Sequence, residues 1–434
     1  MTPPTPKHPL QHLRASDVRG IAQLATQATS GVARIAEGVH QSVWSTMGVP
    51  GGKVQGQTRG ITGLVYRSVQ GITQLLGKSA DAVLASLQTL LELAEGGQPE
   101  TLQREAVLAA LNGVMGDRLA ASGNPLATRM SLRYQGTALN SQAMAPMPQA
   151  TGKVLLLVHG LCMNDLQWQT HIKAPNVGKE TSAGTDFDHG ANLASLLGYT
   201  PVYLRYNTGL HTSQNGQALS SQLEQLAAHW PVALEEIAVV AHSMGGLVIR
   251  SAVHQARQQG LRWPGHLKNI VFLGTPHHGA PLERAGNWVD VLLGSTAYSA
   301  PFARLTQLRS AGITDLRYGH VLDEDWQGHD RHQSKPDSRT PVPLPEGVAC
   351  YTVAATMAGK RSLLAERLIG DGLVPLRSAL GQHDDPQRSL AFAKNSQCIA
   401  YRMNHMELLG SPDVTHQIAH WLIAAKARLS VPGP

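Results

Sequence analysis

The chain has 434 residues, 42% hydrophobic and 15% charged, a composition that builds a sizeable core and excludes disorder over most of the length. Its formal charge of +6 comes from scattered Lys and Arg with no basic run or reading motif, which excludes nucleic acid as a partner and leaves a mild attraction to anionic surfaces. One domain of ordinary size leaves well over a hundred residues to explain, so a second element is expected.

Residues 1–15 are proline-rich and polar, unlike a basic segment followed by an apolar one, and read as a flexible N-terminus without a secretory signal. No apolar run reaches membrane-spanning length, and the expected residence is cytoplasmic, soluble or peripherally membrane-associated. Cys162, Cys350 and Cys398 form no C-x-x-C pair and read as reduced thiols.

Residues 16–125 read as a helical N-terminal region. Val18, Ile21, Ala25, Ala28, Val32, Ile35, Val39 and Val43 make one apolar stripe, with Ser16 as N-cap. After Gly48-Val49-Pro50-Gly51-Gly52 a second stripe runs through Ile61, Leu64, Val65, Ile72 and Leu75. Arg19-Gly20-Ile21 and Leu24 recur as Arg59-Gly60-Ile61 and Leu64, a helical duplication rather than a solenoid. Further helices are expected from about Ala80 to Glu95 and across Leu102 to Leu119. Three roles are open for this region: a packed cap, an interfacial anchor on a membrane or lipid surface, or a homo-oligomerisation surface.

From 126 to 434 the pattern changes. Strand-like runs at Met130–Tyr134, Val154–Val158, Pro201–Tyr206, Ile237–Ala241, Asn269–Leu273, Cys350–Ala355 and Cys398–Tyr401 alternate with helical stretches, which implies a mostly parallel sheet flanked by helices. Residues 281–345 break the alternation and read as an insertion over the site.

Five motifs in this part carry chemistry. Ile237-Ala238-Val239-Val240-Ala241-His242-Ser243-Met244-Gly245-Gly246 is an apolar strand that enters a G-x-S-x-G-like turn, with alanine at the first glycine, and leaves as a helix. Val154-Leu155-Leu156-Leu157-Val158-His159-Gly160-Leu161 is a buried strand ending in a tight turn. Gly274-Thr275-Pro276-His277-His278-Gly279 follows the strand after the helix that leaves the first motif. Gly370-Asp371-Gly372 sets a carboxylate in a glycine-flanked loop, and His405 follows the last strand in Tyr401-Arg402-Met403-Asn404-His405.

In these motifs and their order the chain resembles serine hydrolases of the α/β-hydrolase fold, of the bacterial lipase and esterase type, and in the G-T-P-x-x-G loop it resembles inositol-deacylase-like lipases. The resemblance implies Ser243 as nucleophile, His405 as its base, Asp371 as the acid that orients the imidazole, and the backbone N–H groups of Leu161 and Met244 as the oxyanion hole. His159 is expected to brace its loop, and the G-T-P-x-x-G loop to shape the pocket rim. His416 and His420, in the closing helix, compete less well with His405. The implied activity is hydrolysis of hydrophobic or lipid-like carboxylic esters through an acyl-enzyme, lost in mild acid as the base takes up a proton. An acyltransferase, an amidase or a catalytically inactive lipid-binding scaffold could use the same residues. No cofactor and no metal are expected, since H-E-x-x-H is absent and the loop from His320 to His332 has no fixed ligand spacing.

Overall fold

The computed structural model describes residues 102–139, 147–172, 185–280, 310–328, 337–359 and 370–429, together with 16, 17, 19, 20 and 23. Apart from those five positions, the N-terminal stripes and their duplication lie outside the described residues, as do 281–309 and 329–336 of the expected insertion. The chain divides into two units, one drawn from Met1–Thr128 and Trp288–Ser310, the other from Arg129–Asn287 and Ala311–Pro434.

In the first unit, helix α1 (Leu102–Ala121) covers the stretch expected to be helical. Arg104 grips Asp17 with two parallel hydrogen bonds, Nε to Oδ2 at 2.8 Å and Nη2 to Oδ1 at 2.6 Å. The Asn124 amide donates to Gly20 O at 2.9 Å. Asn112, buried within α1, donates to Leu108 O and Leu126 O and accepts from Thr128 N, so its polar atoms are satisfied locally.

The second unit begins with a short hairpin, β1 (Ser131–Tyr134) and β2 (Thr137–Ala138), and continues into β3 (Lys153–Val158). A two-stranded ribbon, β4 (Thr170–Ile172) with β5 (Thr185–Phe187), precedes α2 (His189–Leu197) and β6 (Thr200–Arg205). Then follow α3 (Thr212–His229), β7 (Glu236–His242), α4 (Met244–Gln258) and β8 (Leu267–Leu273). After α5 (Ala311–Tyr318) come β9 (Ala349–Thr356), the single-turn α6 (Leu376–Ala379), β10 (Gln397–Tyr401) and α7 (Pro412–Leu429).

The main sheet has eight strands in the order β10-β9-β8-β7-β3-β6-β1-β2. From β10 to β6 every pairing is parallel, and β1 and β2 run antiparallel at the edge. This is the α/β-hydrolase fold. All seven strands read from the sequence are present, while β2, β4 and β5 are too short to show a period of two and escaped that reading.

Why the strands read so clearly follows from where they lie. A parallel strand covered on both faces is apolar on both, and Val154 to Val158 and Ile237 to Ala241 are fully buried. Leu155, Leu157, Ala238, Val240 and Val271 pack on Leu193 of α2 and on Ile418, Trp421 and Leu422 of α7. Chain order then creates the crevice. From β3 the chain passes through α2 to β6 on one side, and from β6 through α3 to β7 on the other side of β3, so the connections diverge where β3 and β7 end. Among the described residues, no helix is long and apolar enough to cross a membrane.

The core also holds neutral imidazoles. His159, His189, His242 and His277 are at most 1% exposed. Burial pushes His159 and His189 down to about 4, and it is the leading cause that holds His242 and His277 well below the ordinary imidazole range. Unfolding frees these groups to bind protons near pH 6.5, before the folded state does. Stability is therefore intact above that pH and is lost as pH falls toward 4, by up to about 1.4 kcal/mol per pH unit for each group. Thermal melts are expected to show Tm falling steeply from pH 6.5 to 4.5; a flat Tm over that window would contradict neutral burial.

Candidate active site

Strand β7 ends at His242, and Ser243 turns the chain into α4 at φ 54, ψ −122. A side chain with a Cβ is strained there, at a cost of about 1–3 kcal/mol, and such strain persists only where the surroundings enforce it. Ser243 N donates to Leu273 O at 2.8 Å, and Gly246 N donates to Ser243 O at 3.0 Å. On the far side of the turn a Cβ on Gly245 would lie 2.5 Å from Val158 O, and one on Gly246 would lie 2.0 Å from Thr275 Oγ1. Only glycines let α4 start this close to the end of β3. Ser243 is 2% exposed, and its Oγ makes no hydrogen bond to a described residue.

The loop after β10 presents His405. Asn404 Oδ1 caps the turn by accepting from Met406 N and Glu407 N, both at 3.0 Å. Asp371 holds His405 twice: its carbonyl oxygen accepts from His405 N at 3.1 Å, and its Oδ2 accepts from His405 Nδ1 at 2.6 Å. The other oxygen, Oδ1, accepts from Leu373 N at 2.9 Å and Val374 N at 2.7 Å. A carboxylate can only accept, so the Nδ1–H tautomer is selected and the lone pair is left on Nε2.

Ser243 and His405 meet through β8. Leu273 O takes the Ser243 N–H, and a Cβ on the next residue, Gly274, would lie 3.0 Å from His405 Cε1. No hydrogen bond closes the serine to the imidazole, a link that commonly tightens only when substrate is bound.

Leu161 and Met244 stand beside each other through their neighbours, because a Cβ on Gly160 would lie 3.0 Å from Ser243 Cβ. Leu161 N–H donates to no described residue, and Met244 opens α4, where the first N–H groups have no intrahelical acceptor. The loop is fixed from below. Asn164 caps the following turn, and buried Asp165 pairs with Arg205 and with Arg133, the latter at 3.0 Å. His159 stacks on Tyr206 with ring centroids 4.4 Å apart, and Tyr206 Oη donates to His159 O at 2.8 Å. His416 and His420 lie within α7.

The sequence reading passed over His242. Its ring tilts against that of His405 with centroids 4.6 Å apart, and its Nε2 lies 3.2 Å from His405 O, where it donates. Burial is the leading cause that keeps it neutral. Its place before the nucleophile was visible, but its partner lies 163 residues away. In the G-T-P-x-x-G loop, Thr275 presses on Gly246, and His277 lies edge-on to Phe272 at 4.8 Å. Among the described residues, no group of three or more His, Cys, Asp or Glu is placed to hold a metal ion.

A family model described as a domain of unknown function (DUF7379) matches residues 126–316. A comparison with curated proteins gives no match. Among solved structures, the chain is similar to the mature lipase BlEst2 of Bacillus licheniformis, with 16% identity over 68% of this chain and 98% of that one, at a TM-score of 0.39. It is similar also to lipase B of Aspergillus fumigatus, with 12% identity over 96% of this chain and 86% of that one, at a TM-score of 0.40. The RedJ thioesterase of Streptomyces coelicolor shares 14% identity over 66% of this chain and 96% of that one, at a TM-score of 0.33.

The tight seat of α4 is testable without substrate. Gly245→Ala forces the new Cβ against Val158 O and His159 O and is expected to cost about 1–3 kcal/mol in denaturant unfolding. Gly265→Ala, with nothing within 4 Å of the added carbon, is expected to stay within about 0.5 kcal/mol of the native protein. Equal stability of the two variants would show that the elbow is not packed as described.

Proposed function

We propose that the chain is a serine-dependent carboxylester hydrolase, of the lipase or esterase type, with Ser243, His405 and Asp371 as its triad. The observation that carries this reading is the backbone of Ser243: a buried serine at φ 54, ψ −122 between a strand and a helix is strain with no evident structural return. The Asp371–His405 pair at the same edge of the sheet supports it.

In the reaction, His405 Nε2 takes the Ser243 hydroxyl proton as Oγ attacks the ester carbonyl carbon. The carbonyl oxygen becomes an oxyanion that the Leu161 and Met244 N–H groups receive, aided by the positive end of the α4 dipole. Asp371 stabilises the imidazolium without taking its proton. Collapse expels the alcohol, which leaves with the proton from His405. Water then repeats the sequence on the acyl-enzyme, giving the acid and free Ser243. His242 positions the imidazole from behind by donating to the His405 carbonyl.

Hydrolysis of p-nitrophenyl esters from acetate to palmitate tests the assignment. Ser243→Ala is expected to lose the activity by at least about 10³-fold, and Asp371→Asn, which removes the tautomer-selecting charge, to lower kcat by about 10⁴-fold. A Ser243→Ala protein that cleaves these esters at the native rate would sink the reading, and the chain-length optimum of the native protein divides esterase from lipase.

A further inference from the structure

A polar cavity opens beside α4, and none of the residues lining it belongs to the proposed triad. Arg250 stands seven residues after Ser243 in sequence, about 10 Å along the helix axis. It is 6% exposed. Its Nη2 donates to Val342 O at 2.6 Å, its Nε makes no hydrogen bond to a described residue, and no carboxylate among the described residues forms an ion pair with it. Together with His277, His278, Asp325, Arg339, Arg388 and Val342 it lines a small cavity open to solvent.

The acids of this region are already engaged. Asp325 gives Oδ2 to Val321 N and Leu322 N and Oδ1 to Thr340 N. Asp337 is taken by Arg339 at 2.7 Å and by Arg388 at 3.2 Å, and Arg388 also reaches Asp385 at 3.4 Å. Arg250 is left as a buried guanidinium that Asp325 attracts from nearby but that no carboxylate of a described residue contacts. Burial, and then repulsion from Arg339, bring it down to about 10, so it is still charged at neutral pH. Beside it His277, 1% exposed, makes no hydrogen bond from either ring nitrogen to a described residue.

Taking a charge out of water is costly unless it is paired and hydrogen-bonded, and the pairing of Arg250 by contact is incomplete. The geometry points to an anion site: a phosphate-type oxyanion, free or as the monoester head of a larger molecule, sits in this cavity on the Arg250 guanidinium and the His277 ring N–H, facing Arg339 and Arg388. Planar guanidinium forks match the several acceptor oxygens of such a group, and a neutral imidazole adds a donor without adding repulsion. The site stands independently of the ester-hydrolase reading, because it shares no residue with the triad or the oxyanion loop.

The test uses the full chain in phosphate-free, low-salt buffer, with thermal melts and calorimetric titrations against inorganic phosphate, glycerol 3-phosphate, and sodium chloride at matched ionic strength. Saturable binding is expected, with Tm rising by roughly 2–4 °C for each ten-fold increase in phosphate above its Kd while chloride does nothing comparable. Arg250→Met is expected to lose that rise, yet to melt no lower than the native protein without phosphate, because the unpaired charge is gone. His277→Leu, placed between aromatic rings, is expected to fold and to bind about ten-fold more weakly, which keeps the test open if Arg250→Met does not fold. Binding of glycerol 3-phosphate but not inorganic phosphate would identify the esterified form as the ligand. A native protein that answers neither anion beyond chloride, or an Arg250→Met protein that answers as the native one does, would overturn the site.

Discussion

A serine does not hold itself at φ 54, ψ −122, and much of the second unit can be understood as what keeps Ser243 there. The turn hangs on β8 through the Leu273 carbonyl and closes on itself through Gly246 N. Its helix is seated against β3 at Gly245 and against Thr275 at Gly246, positions where any Cβ would collide. Those contacts exist because β7 lies between β3 and β8 in a parallel sheet, buried on both faces, whose diverging crossovers bring three loops to one edge. The hydrophobic core thus sets the geometry of the polar site, and the strain at Ser243 is balanced by packing spread over many residues.

The polar groups of that edge are organised by burial as much as by pairing. Asp371 meets four donors in all, three at its carboxylate and one at its main-chain oxygen, so its charge sits among N–H groups rather than in apolar surroundings. His159 and His242 are buried as neutral rings and serve as spacers with a single directed hydrogen bond each. Arg250 breaks this pattern. It alone among these groups is charged, buried and held by a single carbonyl, and that contrast sets its cavity apart from the structural polar groups around it.

How much was legible follows from sequence distance. The strands that carry the site are unbroken apolar runs with turn residues at their ends, so Val154 to Val158 and Ile237 to Ala241 declared themselves as buried parallel strands. Asp371 and His405 stood at loop positions that the motif order made readable, and the structure brings them within hydrogen-bond distance of each other. What stayed hidden depends on long-range partners. His242 looked like one letter of the elbow until its ring was seen against the loop of His405. Nothing in the sequence marks Arg250, because the carbonyl that holds it, at Val342, is 92 residues away. The ribbon strands β4 and β5 have three residues each, too few for any periodicity to be read.

The proposed triad turns on Ser243 Oγ acting as a nucleophile at the strained turn. Treating the native protein with a fluorophosphonate and locating the adduct by mass spectrometry tests this directly, since only an activated serine is phosphonylated quickly. One adduct per chain is expected, on the peptide containing Ser243, and none when the protein is first unfolded. An adduct on another serine, or no adduct on a protein that melts cooperatively, would contradict it.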